Sequence, residues 1–168
     1  ERESDIHDLH GFYERLRGKF PRPTHHCGMK MHTGVDAGSG LVHTIQATAA
    51  NVHDATVLPE LLHGNEDALY GDSAYHSKAL EALALLVDLS FYVCKRGSRG
   101  HPLTERERMR NRRYSRVRAI VEHPYLVVKR LWGHAKARYR GIAKNLAQMH
   151  TLFALANLYR VRHRLLAT

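Results

Sequence analysis

The chain has 168 residues, of which 43% are hydrophobic, so it is long enough for one domain with a sizeable core. It has two cysteines and no run near the roughly 20 apolar residues of a membrane span, which argues against a disulfide framework and an integral membrane protein. Charge is uneven. Residues 95–168 contain 19 basic and three acidic side chains, whereas residues 1–94 contain seven basic and 13 acidic ones. This asymmetry favours a polyanionic partner for the C-terminal half.

The first 24 residues are polar and differ from the rest of the chain. They contain a short predicted helix around residues 6–16, and Pro21 and Pro23 close the segment. We therefore separate residues 1–24, an atypical N-terminal segment, from residues 25–168, which we expect to form one domain.

Residues 28–94 predict a hairpin followed by strand–helix–strand. Apolar and polar residues alternate over residues 28–48 around an Asp-Ala-Gly-Ser-Gly turn, which predicts a β-hairpin. Asp54 is expected to cap a short helix. A short buried strand over residues 68–72 ends in an acid, and a second strand covers residues 89–94. The helix between them is expected to bury Leu80, Leu83, Leu85 and Leu86.

The remaining chain predicts helices. Residues 103–132 indicate a long basic helix that Pro124 kinks or interrupts. The last helix repeats apolar residues in steps of four and three, at Ile142, Leu146, Met149, Phe153 and Ala156. A hairpin, a strand–helix–strand segment and then helices predict an α/β (α+β) fold.

Asp72 is the first candidate functional residue. It stands at the carboxyl end of a predicted strand, where ligands collect in α/β sheets. An aspartate that only stabilises a turn or caps a helix would occupy the same position. The residues alone leave both interpretations open.

Glu122 is the second candidate, and the acid is surrounded by bases. Arg118 lies four residues before it and Lys129 seven after it, so all three share one helical stripe if the helix continues past Pro124. A surface ladder of ion pairs would show the same spacing. A strand-end aspartate and a helical glutamate also suit hard divalent cations, which phosphodiester chemistry uses in pairs, while Arg and Lys bind DNA phosphates.

A series of motifs in residues 28–166 resembles the DDE-type insertion-sequence transposases, specifically the IS-five branch. The matching segments keep their order and spacing, and they are Gly-Met-Lys-Met-His at 28–32, Thr-Ala-Ala-Asn-Val-His-Asp at 48–54, Gly-Asp-Ser-Ala-Tyr at 71–75, Val-Glu-His-Pro at 121–124, Arg-Tyr-Arg-Gly-Ile-Ala-Lys-Asn at 138–145 and Leu-Phe-Ala-Leu-Ala-Asn-Leu at 152–158.

The resemblance implies a ribonuclease-H-like mixed sheet flanked by helices and two-metal phosphoryl transfer with Mg²⁺ or Mn²⁺. It implies that Asp72 and Glu122 are catalytic, metal-ligating acids, the second and third of a triad, with carboxylates near one another. Arg118, Glu122 and Lys129 match a Tyr-Arg-Glu-Lys signature, whose Tyr falls at Ser115 beside Tyr114.

The resemblance also implies DNA as the partner, at element ends and target, and a bacterial, cytoplasmic, nucleoid-associated protein that is a homodimer when active. We predict that Arg138 and Arg140 join Arg118 and Lys129 in binding DNA. Trp132 and Tyr139 could stack on unpaired bases or cover the core edge. His25-His26-Cys27 is expected to be a loop cluster without a metal, since it has no second ligand pair.

The family's first acid has no counterpart on a strand upstream of Gly28. Asp5, Asp8 and Asp36 are the substitutes that the sequence offers. We therefore expect a chain that lacks the family's first strand at its N-terminal end and that cuts DNA inefficiently. The alternatives are a catalytically inactive DNA-binding remnant of a transposase and a stand-alone nuclease of the same fold.

Overall fold

A computed structural model of the chain describes residues 28–167. These residues divide into two compact units, Asn51–Arg118 and the combination of residues 28–50 with 119–167. We call them the βαβ unit and the hairpin unit after their sheets. The predictions for Asp5, Asp8, the helix at 6–16 and the His25-His26-Cys27 cluster lie outside the described residues.

The described chain mixes small sheets and helices, as the predicted α/β (α+β) class requires: a β-hairpin, then strand–helix–strand, then helices. The strands are β1 (Met29–Val35), β2 (Val42–Ala49), β3 (Ala68–Gly71) and β4 (Ser90–Val93). The α-helices are α1 (Leu58–Leu61), α2 (Lys78–Leu86), α3 (Glu105–Arg118), α4 (Glu122–Leu126) and α5 (Ile142–Leu166). Single 3-10 turns cover Asp54–Thr56, Ser73–Tyr75 and Ala119–Val121, and a π-helical turn covers Val127–Leu131.

The βαβ unit is built on a parallel pair of strands. β3 and β4 pair from Ala68 opposite Ser90 to Gly71 opposite Val93, and α2 connects them. Parallel strands need such a crossover, and both strands are four residues long. Ala55, Leu58 and Leu80 form the buried cluster of this unit. The predicted strand–helix–strand segment is confirmed.

Two details of this unit differ from the sequence prediction. His53, not Asp54, caps the first 3-10 turn, because its ring nitrogen accepts the Ala55 N–H. Leu80 is buried as predicted, but Leu85 and Leu86 are 78% and 79% exposed. The helix ends at Leu86, so its last two leucines lie beyond the stretch that packs on the sheet.

The arginine-rich α3 is stabilised at both ends despite its repelling charges. Thr104 and Glu107 form a capping box, in which the Thr104 N–H donates to Glu107 (3.0 Å) and the Glu107 N–H donates to the Thr104 hydroxyl (3.3 Å). The Thr104 N–H also lowers the pKa of the Glu107 carboxyl. Acids occupy the first turn and arginines the last turn, which complements the helix dipole.

The hairpin unit begins with the predicted hairpin, which is confirmed. β1 and β2 pair antiparallel from Met29 opposite Ala49, with a bulge at Gly34/Val35. In the connecting turn, the Asp36 carboxylate accepts hydrogen bonds from the Ser39 N–H and hydroxyl, and these bonds lower its pKa. Gly40 has a φ of +69°, which favours glycine over residues with a side chain.

Helix α5 packs on this hairpin through one apolar face. Met149, Phe153 and Ala156 are buried with Val42, Ile45, Val127 and Val128. The predicted stripe is therefore confirmed from Leu146 onward, whereas Ile142 in the first turn is 40% exposed. Asn157 adds a polar anchor, since its amide donates to the Val42 carbonyl (2.7 Å) and its oxygen accepts the Val42 N–H (2.9 Å). No helix in residues 28–167 has the length and apolar composition that a membrane span needs.

Pro124 changes the helix as predicted. Proline cannot donate to the carbonyl four residues earlier, which is that of Ile120, and the chain forms a 3-10 turn there. Pro124 then occupies the first turn of α4, where an N–H has no partner inside the helix. Glu122 is therefore the first residue of a new helix.

Candidate functional site

Asp72 follows β3 directly, at the carboxyl end of the parallel pair. The Cys94 N–H donates to the Gly71 carbonyl (3.0 Å) just before it, which fixes the strand end. Asp72 is half-buried and caps the 3-10 turn Ser73–Tyr75, with Oδ1 accepting the Ala74 N–H. Within residues 28–167 its Oδ2 receives no hydrogen bond, so Asp72 both caps the turn and keeps one oxygen available to a ligand.

The signature positions on α3 have separate surroundings in the βαβ unit. The Tyr114 ring packs against Tyr70 and Tyr92, with centroids 6.3 and 5.2 Å away, while the Ser115 hydroxyl lies 3.8 Å from the Cys94 thiol. Arg118 is half-buried, and its Nε is buried without a hydrogen-bond partner among the described residues. Tyr114 therefore anchors the helix.

A cleft of about 480 Å³ opens in the hairpin unit. β1 contributes Met29 and Met31, and α5 contributes Asn145 and Met149. The rest of its wall is formed by the segment around α4 and by the loop between Trp132 and Gly141, and consists of Val121, Glu122, Tyr125, Lys129, His134, Ala135, Lys136 and Ala137. The wall is thus apolar on the side of the strand, with charges concentrated on the helix and the loop.

Glu122 is the one carboxylate in the wall of this cleft. Its side chain is exposed, and none of the basic groups in the described residues lies within ion-pair distance of it. The pKa of Tyr125 is raised, mainly by burial of its side chain. A hydrogen bond with Thr33 lowers this pKa, and the negative charge of Glu122 raises it. Glu122 therefore presents its charge to the cleft rather than to a partner on a surface ladder.

Lys129 lines the same cleft as Glu122. Its ammonium group is 5.0 Å from the centre of the Tyr125 ring, a cation–π contact. Tyr125 is itself held by its hydroxyl, which donates to the Met31 carbonyl (3.4 Å), and by edge contact with Phe153 (5.1 Å). Glu122 and Lys129 thus face the same cleft from positions about two helical turns apart.

The loop between Trp132 and Gly141 carries three further cations. Lys136 lines the cleft, and Arg138 and Arg140 follow on the same loop as exposed side chains. Trp132 packs on the core beside Tyr159 (6.3 Å), whereas Tyr139 is 51% exposed. Of the two predicted stacking residues, Tyr139 has the accessible ring.

Asn145 holds this loop and was missed by the site prediction. It is 3% exposed, and its amide donates to the carbonyls of Tyr139 (2.6 Å) and Gly141 (2.7 Å). Its oxygen accepts the Tyr139 N–H (3.2 Å). An asparagine on the buried stripe of an otherwise amphipathic helix was the available signal.

Replacing Asn145 with Ala should lower the free energy of unfolding by about 1–3 kcal/mol, because buried backbone groups lose their partners. It should also raise hydrogen exchange in the loop at residues 132–141. Urea unfolding and exchange measured by mass spectrometry check both effects. Asn145→Asp keeps the acceptor but places a carboxylate against the Tyr139 and Gly141 carbonyls in a buried position, so it should destabilise the protein at least as much as the Ala variant. An Ala variant as stable as the wild type would show that the loop does not depend on this residue.

The structure thus places Glu122 and Lys129 in one cleft and Asp72 at a strand end of the other unit. The closeness of the two carboxylates stays a prediction. Tyr125, His134, Lys136 and Asn145 join the cleft as residues that sequence reasoning did not assign. Within the described part of the chain, no three His, Cys, Asp or Glu side chains are grouped so that they could hold a metal ion.

A protein-family model matches most of the chain. The model of the family described as the transposase DDE domain matches residues 7–158, about nine tenths of the chain. The matched range includes Asp72, Arg118, Glu122, Lys129, Arg138 and Arg140. No solved structure matches the chain.

Proposed function

Since this chain belongs to the transposase DDE domain family, we propose that it cleaves phosphodiester bonds and transfers DNA strands in transposition, using divalent metal ions. In this proposal it is a member of the IS-five branch, residues 25–168 act as the catalytic domain, and the domain is of the ribonuclease-H-like kind. It works on DNA at the element ends and the target, in the bacterial cytoplasm at the nucleoid, as a homodimer.

The cleft of the hairpin unit is the observation that carries this proposal. It combines Glu122, a carboxylate without a cationic partner among residues 28–167, with the ammonium groups of Lys129 and Lys136. A carboxylate there repels a phosphodiester unless a cation lies between them, whereas the lysines attract it. This arrangement suits a substrate that contains phosphates and binds together with a metal ion.

The two acids fit a hard cation by their chemistry. Glu122 lines the cleft, and Asp72 keeps Oδ2 without a hydrogen bond in the described chain. Carboxylate oxygens are the ligands that Mg²⁺ and Mn²⁺ take. We propose Asp72 and Glu122 as catalytic metal ligands. A bound metal would supply charge stabilisation and activation of the attacking oxygen.

The chain's own cations would bind and orient the DNA. Lys129, steadied by the Tyr125 ring, and Lys136 would hold phosphates at the cleft. Arg138 and Arg140 extend this positive surface along the loop. Arg118 would contribute its positive charge to the binding of DNA. Such contacts position the DNA backbone and carry no sequence information.

The experiment is a nicking assay on DNA that carries the ends of the parent element, with Mg²⁺ or Mn²⁺. The wild-type chain should nick at the ends at a low rate, and Asp72→Asn should lower that rate more than about 100-fold, since weaker perturbations around metal ligands already cost 10- to 100-fold. Ser77→Ala is a control at a cap position without a side-chain cap bond. DNA binding by the wild type without any nicking would contradict this proposal and support the DNA-binding remnant.

A further inference from the structure

Helix α3 has two faces of different character. The face toward the sheet of the βαβ unit carries Asn111, whose amide donates to the Lys95 carbonyl (2.8 Å), and Tyr114, whose ring packs on Tyr92. Glu107 shares this face and lies 3.6 Å from the Lys95 ammonium. These contacts fix the rotation of the helix about its axis, and so decide which side chains point away from the sheet.

The opposite face is rich in arginine. At 100° per residue, the positions farthest from Asn111 and Tyr114 fall on Glu105, Met109, Arg112, Arg113 and Arg116, with Arg106 at the edge of the face. All six side chains are exposed, and Met109 is 51% exposed. We call Arg106, Arg112, Arg113 and Arg116 the outer arginine face.

No ion pair within residues 28–167 neutralises the outer arginine face. Of the acids on α3, Glu105 lies 3.5 Å from Arg108 and Glu107 lies near Lys95, and neither pairs with the four arginines. Arg110, which lines a small cavity with Glu81, is excluded from the face for that reason. Four guanidinium groups within eleven residues repel one another, and an anionic partner would remove that repulsion.

The dimensions of the face match a nucleic-acid backbone. From Arg106 to Arg116 the helix rises about 15 Å, at 1.5 Å per residue. One strand of B-DNA carries a phosphate every 3.4 Å along the axis, so the face covers the axial length of about four phosphates. Guanidinium groups bind phosphates with two parallel hydrogen bonds.

The face lacks what single-stranded DNA requires. Proteins that bind unpaired strands stack the bases on exposed aromatic rings. The one aromatic residue of α3 is Tyr114, and its ring lies against Tyr70 and Tyr92. A surface of arginines with no ring available is suited to the outside of a duplex, where the phosphates are reached without unstacking.

We propose that the outer arginine face of α3 is a second DNA-binding surface, separate in its residues from the cleft, that holds the sugar–phosphate backbone of double-stranded DNA without regard to sequence. The proposal rests on the proposed function for its partner. It assigns α3 a role in holding the duplex, and leaves cleavage to the acids.

The test compares two triple variants that each lose three positive charges. The first variant replaces three of the four arginines of the outer arginine face, with Arg106→Gln, Arg113→Gln and Arg116→Gln. The second replaces three exposed cations elsewhere, with Lys78→Gln, Lys144→Gln and Arg164→Gln. Binding of a 30-base-pair duplex of arbitrary sequence is followed by fluorescence anisotropy over a range of salt, without divalent metal. Far-UV circular dichroism and urea unfolding verify that both variants are folded.

Loss of the face should reduce the slope of log K against log salt by about 2.7, at about 0.9 for each lost phosphate contact, and the control should change it by less than 1. Equal changes in both variants would show that net charge alone acts, and would overturn the proposal. A slope that falls only with single-stranded DNA would overturn it as well. The binding experiment involves neither metal nor cleavage, so its result is independent of the nicking assay. The chain can fail to nick DNA while the triple variant lowers the salt slope, or it can nick DNA while the slope is unchanged.

Discussion

Glu122→Gln should abolish metal-dependent nicking of DNA, with a rate more than about 100-fold below that of the wild type, while DNA binding in the absence of metal is retained. Glutamine keeps the size of the side chain and removes the negative charge that would attract the cation. Changes in residues that only support a metal ligand cost 10- to 100-fold, so the loss of a ligand should cost more. Binding of Mn²⁺, followed by the paramagnetic signal of the free ion, should weaken in parallel.

Two controls make this result specific. Glu81→Gln is the same change at another exposed glutamate and should leave nicking unaltered. Spectroscopic titration of the tyrosines gives a readout of geometry: burial is the main cause of the raised pKa of Tyr125, but the charge of Glu122 adds to it, so Glu122→Gln should lower that pKa. If Glu122→Gln nicks DNA at the wild-type rate, Glu122 is not a catalytic ligand.

Phe153→Ala should destabilise the hairpin unit by about 3–5 kcal/mol. Phe153 is 1% exposed, and it packs between the core residues of α5, the hairpin and Tyr125, so truncation leaves a cavity that its neighbours cannot fill. Native domains are stable by only about 5–15 kcal/mol, so this loss is a large fraction of the total. Urea unfolding monitored by tryptophan fluorescence measures it through Trp132, which packs against the same cluster.

Leu155→Ala is the matched control on the same helix. Leu155 is 48% exposed, and alanine is an equally good helix former, so the free energy of unfolding should change by less than about 1 kcal/mol. A Phe153 variant that unfolds at the urea concentration of the control would mean that the core of this unit lies elsewhere.

Periodicity alone was sufficient to find the regular elements. Alternation over residues 28–48 indicated the hairpin, and the steps of three and four at Leu146, Met149 and Phe153 indicated the buried face of α5, because strand and helix geometry impose these repeats on any buried surface. The chemistry of proline also predicted a local feature. Pro124 has no backbone N–H, so the long helix was expected to be kinked or interrupted, and a 3-10 turn is found at Ala119–Val121. The order of the motifs indicated a DDE-type transposase, and the match to the transposase DDE domain model shows that the chain belongs to this family.

Other features depend on which residues meet across the chain, and a one-dimensional pattern contains no such information. The exposure of Leu85 and Leu86 was decided by where α2 leaves the sheet, and the burial of Asn145 by the loop whose backbone it bonds. Glu122 and Lys129 were paired by spacing, but that they share a cleft with Met31, Lys136 and Asn145 followed only from the packing of α4, β1 and α5. The sequence by itself thus determined the elements, the uneven charge and the candidate acids. The tertiary structure decided their surroundings, because burial and electrostatic environment arise from contacts between residues far apart in the chain.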